Sequence, residues 1–151
     1  MKIIAHRANL NGPDKSFENS PSMILKAIDE GFDVETDIWY VNNHFFLGHD
    51  LPEYLINNYF IEKIKNNAWF HCKNLEAIYQ LKNNFEDINF FWHQSDDFTI
   101  TSKGFIWTYP GKEITDNSVL VLPEILENDF LKFKPYGVCT DFPKRLIEQR
   151  I

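Results

Sequence analysis

The chain has 151 residues, of which 44% are hydrophobic and 25% are charged, and its formal net charge is −7. This composition indicates one folded domain over residues 1–151 rather than a disordered chain. The acidic balance argues against a nucleic-acid partner, which needs a basic stripe, but leaves room for a small anionic substrate held by local Lys and Arg residues.

The first predicted strand is the apolar run at residues 2–5, which delivers His6 and Arg7 at its carboxyl end. This N-terminal stretch is too short and polar for a signal peptide, and no apolar run reaches membrane-spanning length, so we expect no membrane span. A loop rich in turn-forming residues follows. Ser20 precedes a proline, as is typical of a helix N-cap, and the predicted helix stops at Gly31.

The second predicted strand carries two carboxylates in an otherwise apolar pattern. Because side chains alternate along a strand, Glu35 and Asp37 point to the same face. Two such acids repel each other and resist burial, and a cation between them would remove both costs. Hard cations prefer oxygen ligands of this kind. The alternative is an edge strand whose acids are solvated.

A tight hairpin is predicted after this strand, because Asn42 and Asn43 tolerate positive φ. Residues 44–47 then run back and place His49 near the carboxylates. Asp50 is expected to orient His49 through a ring N–H.

The rest of the chain continues to alternate between helix-like and strand-like segments. Helices are predicted within residues 52–67, 74–84, 125–133 and 143–150, and strands within 68–73, 88–94, 104–110, 118–123 and 136–141, with 98–101 as a strand or a crossover loop. This alternation implies a parallel sheet, and polar groups at the strand ends converge as in a barrel active site. The prediction is an α/β fold, a compact TIM-like β/α barrel with reduced helices in the second half.

The two cysteines, Cys72 and Cys139, lie in apolar strand-like runs. They are too few for a disulfide framework, which predicts reduced core residues in a cytoplasmic protein. His71 is adjacent to Cys72, but neighbours on a strand face opposite sides, and this argues against a nucleophilic cysteine.

Six short motifs occur in order, mostly at predicted strand ends: IAHR (4–7), ENS (18–20), DVETD (33–37), GHD (48–50), HCK (71–73) and CTDFP (139–143). Together they resemble the glycerophosphodiester phosphodiesterase group of barrel phosphodiesterases, which are related to phosphatidylinositol-specific phospholipase C. The resemblance is close over residues 3–50, thin over 51–135, and returns at 137–143. It implies a β/α barrel that cleaves a small phosphodiester with the help of a metal ion.

The resemblance also implies roles for particular residues. It makes His6 and His49 the acid/base pair, Arg7 a phosphate ligand, and Glu35 and Asp37 ligands of Mg²⁺ or Ca²⁺. Such roles suit the chemistry, because two histidines with pKa values near neutrality can take one proton and give another. Lys73 is a candidate for a further positive charge on the substrate.

One position departs from the family pattern. Relatives usually present a third acidic ligand on the third strand, in an E-x-K pattern, and His71 stands there. Its imidazole could be a third metal ligand, which would favour Zn²⁺ or Mn²⁺. Alternatively the metal takes two protein ligands and several waters, or metal binding is impaired. The chain is also far shorter than usual members, so the substrate identity does not transfer.

The sequence therefore predicts a metal-dependent phosphodiester hydrolase. A non-catalytic phosphate-binding barrel and a lyase that releases a cyclic phosphate remain alternatives. Glu18 and Asn19 are expected to organise the first loop, and Asp141 to cap the last helix. Three further side chains could line the pocket: His93, Trp107 and Tyr109. Trp92-His93 could supply an extra ligand, although packing in the core or at the rim is favoured for all four residues.

Overall fold

The computed structural model describes residues 1–126 and 134–148, and ten strands in this part of the chain form one mixed sheet that curls into a half-barrel. The strands are β1 Lys2–Ala5, β2 Asp33–Val41, β3 His44–Leu47, β4 Tyr54–Ile56, β5 Ala68–Cys72, β6 Phe90–Phe91, β7 Phe98–Ile100, β8 Ile106–Thr108, β9 Ser118–Val121 and β10 Gly137–Thr140. The helices are α1 Pro21–Asp29, α2 Asn58–Ile64, α3 Leu75–Asn84 and α4 Pro143–Glu148, with 3-10 turns at His6–Ala8 and Pro123–Ile125.

Seven strands of the sheet are parallel, in the order β6-β5-β2-β1-β10-β9-β8. The first strand of the chain, β1, therefore lies between β2 and the last strand, β10. A β3-β4 hairpin extends β2 antiparallel, and β7 is antiparallel to β8. This order brings the carboxyl ends of β1, β2, β5 and β10 to one rim of the half-barrel.

The predicted TIM-like β/α barrel is wrong. Within the described residues no ladder pairs β6 with β7 or β8, so the sheet stays open between them. Isolated hydrogen bonds bridge this gap, such as the one from the Ser102 N–H to the Phe90 carbonyl (2.8 Å). Only six residues separate β6 from β7 and five separate β7 from β8. A parallel crossover needs about a dozen residues. The chain consequently returns antiparallel, and no α-helix forms between β6 and β9 in the described chain.

Local sequence signals for the first helix and the hairpin are confirmed. Ser20 Oγ accepts a hydrogen bond from the Met23 N–H (3.4 Å) at the start of α1, and Gly31 follows its end at φ +90°. Asn42 and Asn43 form the tight turn between β2 and β3 with φ of 50° and 64°. Short side chains with polar tips tolerate this left-handed backbone.

Other predicted elements are shorter or different. The helix predicted within 52–67 covers only α2, because residues 54–56 pair with β3 as β4. The strand predicted over 88–94 contains only the two residues of β6. Most of the helix predicted over 125–133 falls outside the described residues, as do residues 149–150 of the helix predicted over 143–150.

Apolar side chains pack on both faces of the sheet. On the outer face, helices α1 to α3 contribute Ile24, Ile61 and Leu81 to a cluster with Val34 and Phe70. The concave face holds a second cluster: Ile4, Trp69, Phe91, Trp107, Val119, Val121 and Cys139. This inner cluster closes the floor beneath the polar rim. Among the described residues, no helix is long and apolar enough to cross a bilayer.

Both cysteines are buried and free. Cys72 packs in the outer cluster and Cys139 in the inner one, and burial raises the pKa of each thiol. A buried thiol with a raised pKa is a poor nucleophile. The expectation that these are core residues agrees with this packing.

Candidate metal and acid-base site

Strand β2 presents two buried carboxylates on the concave face. Glu35 is 2% exposed and Asp37 is fully buried. The register between β2 and β5 pairs Asp37 with His71, so the imidazole reaches the same place from the neighbouring strand. One ligand atom from each of these three residues lies within 4.8 Å of the other two. Three candidate ligands from two parallel strands thus share one small volume.

The contacts among the three residues leave one oxygen unsatisfied. His71 Nδ1 is 3.0 Å from Asp37 Oδ1 and 3.7 Å from Glu35 Oε1. Although the first distance is short, the ring nitrogen is not aligned for donation, and Asp37 Oδ1 accepts no hydrogen bond within the described residues. Lys73 Nζ lies 3.5 Å from the same oxygen. A buried carboxylate oxygen without a donor is costly, and such a group calls for an explanation.

The other oxygen of Asp37 is firmly held by Asn19. Asn19 is 1% exposed, and its Nδ2 donates to Asp37 Oδ2 (2.9 Å). Its Oδ1 accepts from the Thr36 hydroxyl (2.8 Å) and from the Asp37 backbone N–H (2.9 Å). Asn19 itself adopts φ +60°. The first loop therefore fixes the carboxylate of Asp37 in one orientation, in line with the expected organising role of Asn19.

His6 reaches the cluster from the end of β1. Its Nδ1 donates to Asp141 Oδ1 (2.8 Å), which leaves Nε2 facing Glu35, 3.9 Å from Oε2. The chain then turns sharply, with Arg7 and Ala8 at φ 51° and 64°. In this turn the Arg7 backbone N–H donates to Glu35 Oε2 (3.0 Å). The turn thus holds both His6 and the Glu35 carboxylate.

The Arg7 side chain lies between two acids. Its Nη1 contacts Glu18 Oε2 (3.2 Å) and its Nε is 3.5 Å from Asp37 Oδ2. Glu18 also accepts from Asn9 Nδ2 (3.2 Å), so it organises the first loop as expected. No hydrogen bond in the described part of the chain uses Arg7 Nη2. One end of the guanidinium fork is therefore left for a ligand.

His49 is carried to the rim by the hairpin. The Gly48 N–H donates to the Asp37 carbonyl (3.1 Å), so the residue before His49 is hydrogen-bonded to the backbone of a cluster residue. His49 Nδ1 lies 2.7 Å from Asp50 Oδ1, the orientation expected from the sequence. Its side chain is 37% exposed, and within the described residues no hydrogen bond or ion pair joins it to Glu35, Asp37 or His71. His49 is thus the most solvent-accessible of the predicted site residues.

The site perturbs several pKa values. Burial, together with the charge of Asp37, raises the pKa of Glu35. Burial alone would raise the pKa of Asp37, but His71 in its protonated form, Lys73 and Arg7 outweigh burial and hold that pKa well below its usual range. Burial would lower the pKa of His6, yet the hydrogen bond to Asp141 and the charge of Glu35 raise it. Perturbed groups of this kind cluster at functional sites.

The fixed charges of this network suit a divalent cation. Arg7 and Lys73 are the permanent cations here, and both contact Asp37, while Arg7 also contacts Glu18. Two further carboxylates, Glu35 and Asp141, are linked to the same network through the Arg7 backbone N–H and through His6. With neutral histidines, these four carboxylates and two cations together carry two negative charges in excess, which one divalent ion would balance. The Asp37 oxygen that accepts no hydrogen bond also favours a bound cation. The residues present therefore fit a metal ion.

The prediction that Asp141 caps the last helix is wrong. Its carboxylate binds His6 and Asn9 Nδ2 (2.8 Å), and its own N–H is held by Glu124 Oε1 (2.8 Å). Glu124 was not singled out at all. Only the pairing of β1 with β10 reveals these contacts, since 135 residues separate His6 from Asp141.

Three of the four aromatic candidates make packing contacts between rings, whereas Trp92 is 38% exposed. Trp107 lies in the inner cluster, 4.5 Å from the Phe91 ring. His93 stacks on Tyr109 (4.4 Å), and its Nε2 donates to the Asp96 carbonyl (2.6 Å). Its backbone carbonyl nevertheless reaches the site, because it lies 3.0 Å from His71 Nε2. This backbone contact has no side-chain signature in the sequence.

Comparison of the chain with protein-family models, with curated proteins and with solved structures finds no match.

Proposed function

We propose that the protein is a metal-dependent phosphodiester hydrolase that acts on a small phosphodiester. The proposal rests on one observation: a histidine held in a fixed orientation faces a buried pair of carboxylates. His6 Nε2 faces Glu35 at 3.9 Å while Asp141 holds the opposite ring nitrogen, and Asp37 lies beside Glu35 on the same strand. The sequence resemblance described above points to the same chemistry.

The proposed reaction needs two proton transfers. A water oxygen attacks phosphorus as the bond from phosphorus to the leaving oxygen breaks. His6 Nε2, free to accept because Nδ1 donates to Asp141, takes the proton from the water. His49 in its protonated form gives a proton to the leaving oxygen, so that a phosphomonoester and an alcohol result. Arg7 and Lys73 bind the phosphoryl oxygens.

A divalent cation bound by Glu35 and Asp37 would supply neutralisation of the charge that develops on the phosphoryl oxygens. The chain's own part is to orient the ligands. Asn19 fixes one oxygen of Asp37, and the Arg7 backbone N–H fixes one oxygen of Glu35. Ligands held by neighbouring hydrogen bonds in this way bind metal better than free ones.

Hydrolysis of a generic aryl phosphodiester tests the proposal. Purified protein should release the phenol with added Mn²⁺, Zn²⁺, Mg²⁺ or Ca²⁺, and EDTA should stop the reaction. We expect His6→Ala to lower the rate about a hundredfold, because general acid-base catalysis typically contributes that much or more. The matched control is His44→Ala, since His44 is exposed and remote from the cluster.

A folded protein that is inactive with all four metals contradicts the proposal. If such a protein still binds phosphate, a non-catalytic phosphate-binding protein is the better description. Release of a cyclic phosphate from a substrate with a neighbouring hydroxyl would instead identify a lyase.

Asp141 acts through His6 in this scheme, so Asp141→Asn should lower kcat about 10- to 100-fold with little change in KM. The amide would keep a contact to the ring but would no longer stabilise its protonated form, because the carboxylate raises the pKa of His6. The pH profile is the discriminating measurement. We expect the limb assigned to His6 to move to lower pH in the variant, and an unmoved profile would show that Asp141 is merely structural.

A further inference from the structure

We propose that His71 Nδ1 is the third protein ligand of the metal, and that the site selects a transition metal ion such as Zn²⁺, Co²⁺ or Mn²⁺ over Mg²⁺ and Ca²⁺. This inference deepens the proposed function by naming the class of metal. It concerns His71 and the backbone behind it rather than the carboxylate pair alone.

The hydrogen bond behind the ring sets its tautomer. His71 Nε2 lies 3.0 Å from the His93 carbonyl oxygen. A carbonyl can only accept a hydrogen bond, so Nε2 must carry the proton. In the neutral ring, Nδ1 then holds a lone pair. A ligating histidine commonly shows this arrangement, with its second nitrogen donating to a carbonyl that fixes ring orientation and tautomer.

The lone pair of Nδ1 faces two carboxylates. Its distances are 3.0 Å to Asp37 Oδ1 and 3.7 Å to Glu35 Oε1. A nitrogen lone pair and two carboxylate oxygens repel one another unless a cation lies among them. The buried Asp37 oxygen that faces the ring has no hydrogen-bond donor within the described residues. One metal ion would satisfy all three atoms together.

The ring has little freedom to turn away. It stacks on Phe91 with centroids 5.1 Å apart and an interplanar angle of 5°. The carbonyl that receives Nε2–H is itself anchored, because the His93 ring stacks on Tyr109 and donates to the Asp96 carbonyl. The second half of the chain therefore holds His71 in a ligating pose.

The donor set decides the metal class. Imidazole suits Zn²⁺ and other transition metals, whereas Mg²⁺ and Ca²⁺ are bound by oxygen ligands. Mg²⁺ also usually retains several waters, and the two carboxylates here are almost completely buried. One nitrogen and two carboxylates in so enclosed a place therefore favour the transition metals.

The competing interpretation is a protonated His71 that forms an ion pair with Asp37. A protonated ring in this position would place Nδ1 3.0 Å from Asp37 Oδ1 and still leave that buried oxygen without an aligned donor, whereas a metal ion would satisfy it. The experiment below distinguishes the two interpretations.

Calorimetric titration of the EDTA-treated, dialysed protein with Zn²⁺, Mn²⁺, Mg²⁺ and Ca²⁺ is the first test. We expect one equivalent of Zn²⁺ to bind at least about a hundredfold more tightly than Mg²⁺ or Ca²⁺. His71→Ala should reduce Zn²⁺ affinity at least about tenfold, while His44→Ala, which removes an exposed histidine, should not. His71→Glu should narrow or reverse the preference, because it replaces the nitrogen ligand by an oxygen ligand.

Spectroscopy gives a readout that is independent of catalysis. Co²⁺ should produce visible ligand-field bands in the wild type that change in His71→Ala. In a long-range ¹H–¹⁵N spectrum of the Zn²⁺-loaded protein, His71 should appear protonated at Nε2 and metal-bound at Nδ1. Equal affinity for Mg²⁺ and Zn²⁺, or unchanged Zn²⁺ affinity in His71→Ala, would overturn the inference. Zn²⁺ binding without phosphodiester hydrolysis would overturn the proposed function alone.

Discussion

Asn19→Asp is expected to destabilise the fold by about 3 kcal/mol or more, because it leaves buried charge unpaired. The wild-type Nδ2 donates to Asp37 Oδ2 over 2.9 Å at a place that is almost solvent-free. An aspartate would put an oxygen where that donor lies, so two carboxylates would face each other. The urea midpoint of unfolding, measured at neutral pH without metal, reports the loss of stability.

Asn43→Asp is the matched control for this substitution. Asn43 also has a positive φ, 64°, but it is exposed at the tip of the hairpin. The same change of charge and shape there should alter the free energy of unfolding by no more than about 0.5 kcal/mol. Equal effects of the two substitutions would mean that the hydrogen bonds of Asn19 contribute no measurable free energy of unfolding.

Glu35→Gln is expected to lower phosphodiesterase activity about a thousandfold or more, since it removes a proposed metal ligand. It should also raise the stability of the metal-free protein at neutral pH by about 1 kcal/mol, or about 2–4 °C in Tm. The reason is that burial and the charge of Asp37 raise the pKa of Glu35 in the folded state. The amide keeps an oxygen for the Arg7 N–H without the charge.

The stability gained by Glu35→Gln should depend on pH, in a direction set by the raised pKa of Glu35. A carboxyl whose folded pKa lies above its unfolded value costs no stability below the unfolded pKa, and the cost grows as pH rises through the folded pKa. The Tm gain of Glu35→Gln should therefore vanish near pH 4 and be largest at neutral pH and above. Glu86→Gln, at an exposed position, serves as the control. A variant less stable than the wild type in EDTA at pH 7 would contradict this expectation.

Strand periodicity was enough to predict that Glu35 and Asp37 share a face, because alternation along a strand is local. Likewise, the turn chemistry of Asn42-Asn43 predicts the hairpin that carries His49. The role of Asp141 could not be predicted in this way. Its neighbours in sequence suit a helix cap, and its contact with His6 exists only through the pairing of β1 with β10.

The open sheet illustrates a different limit. Apolar runs predict strands, but whether they close into a barrel depends on connection lengths and on how many residues stay in each ladder. The strand predicted over 88–94 stops pairing after Phe91, and no residue pattern in the sequence marks that point. The same departure delivers the His93 carbonyl to His71. The error in fold and the missed backbone contact thus have one physical origin.

The central position of β1 has a consequence for the kinetics of folding. Lys2 to Ala5 pair with Gly137 to Thr140, so the middle of the sheet joins segments about as far apart in sequence as this chain allows. Closing so long a loop is entropically slow, and contacts of high sequence separation lower folding rates. During synthesis, β1 must wait for residues 137–140 to leave the ribosome before its second edge is covered. We therefore expect the contact of His6 with Asp141 to form late in folding.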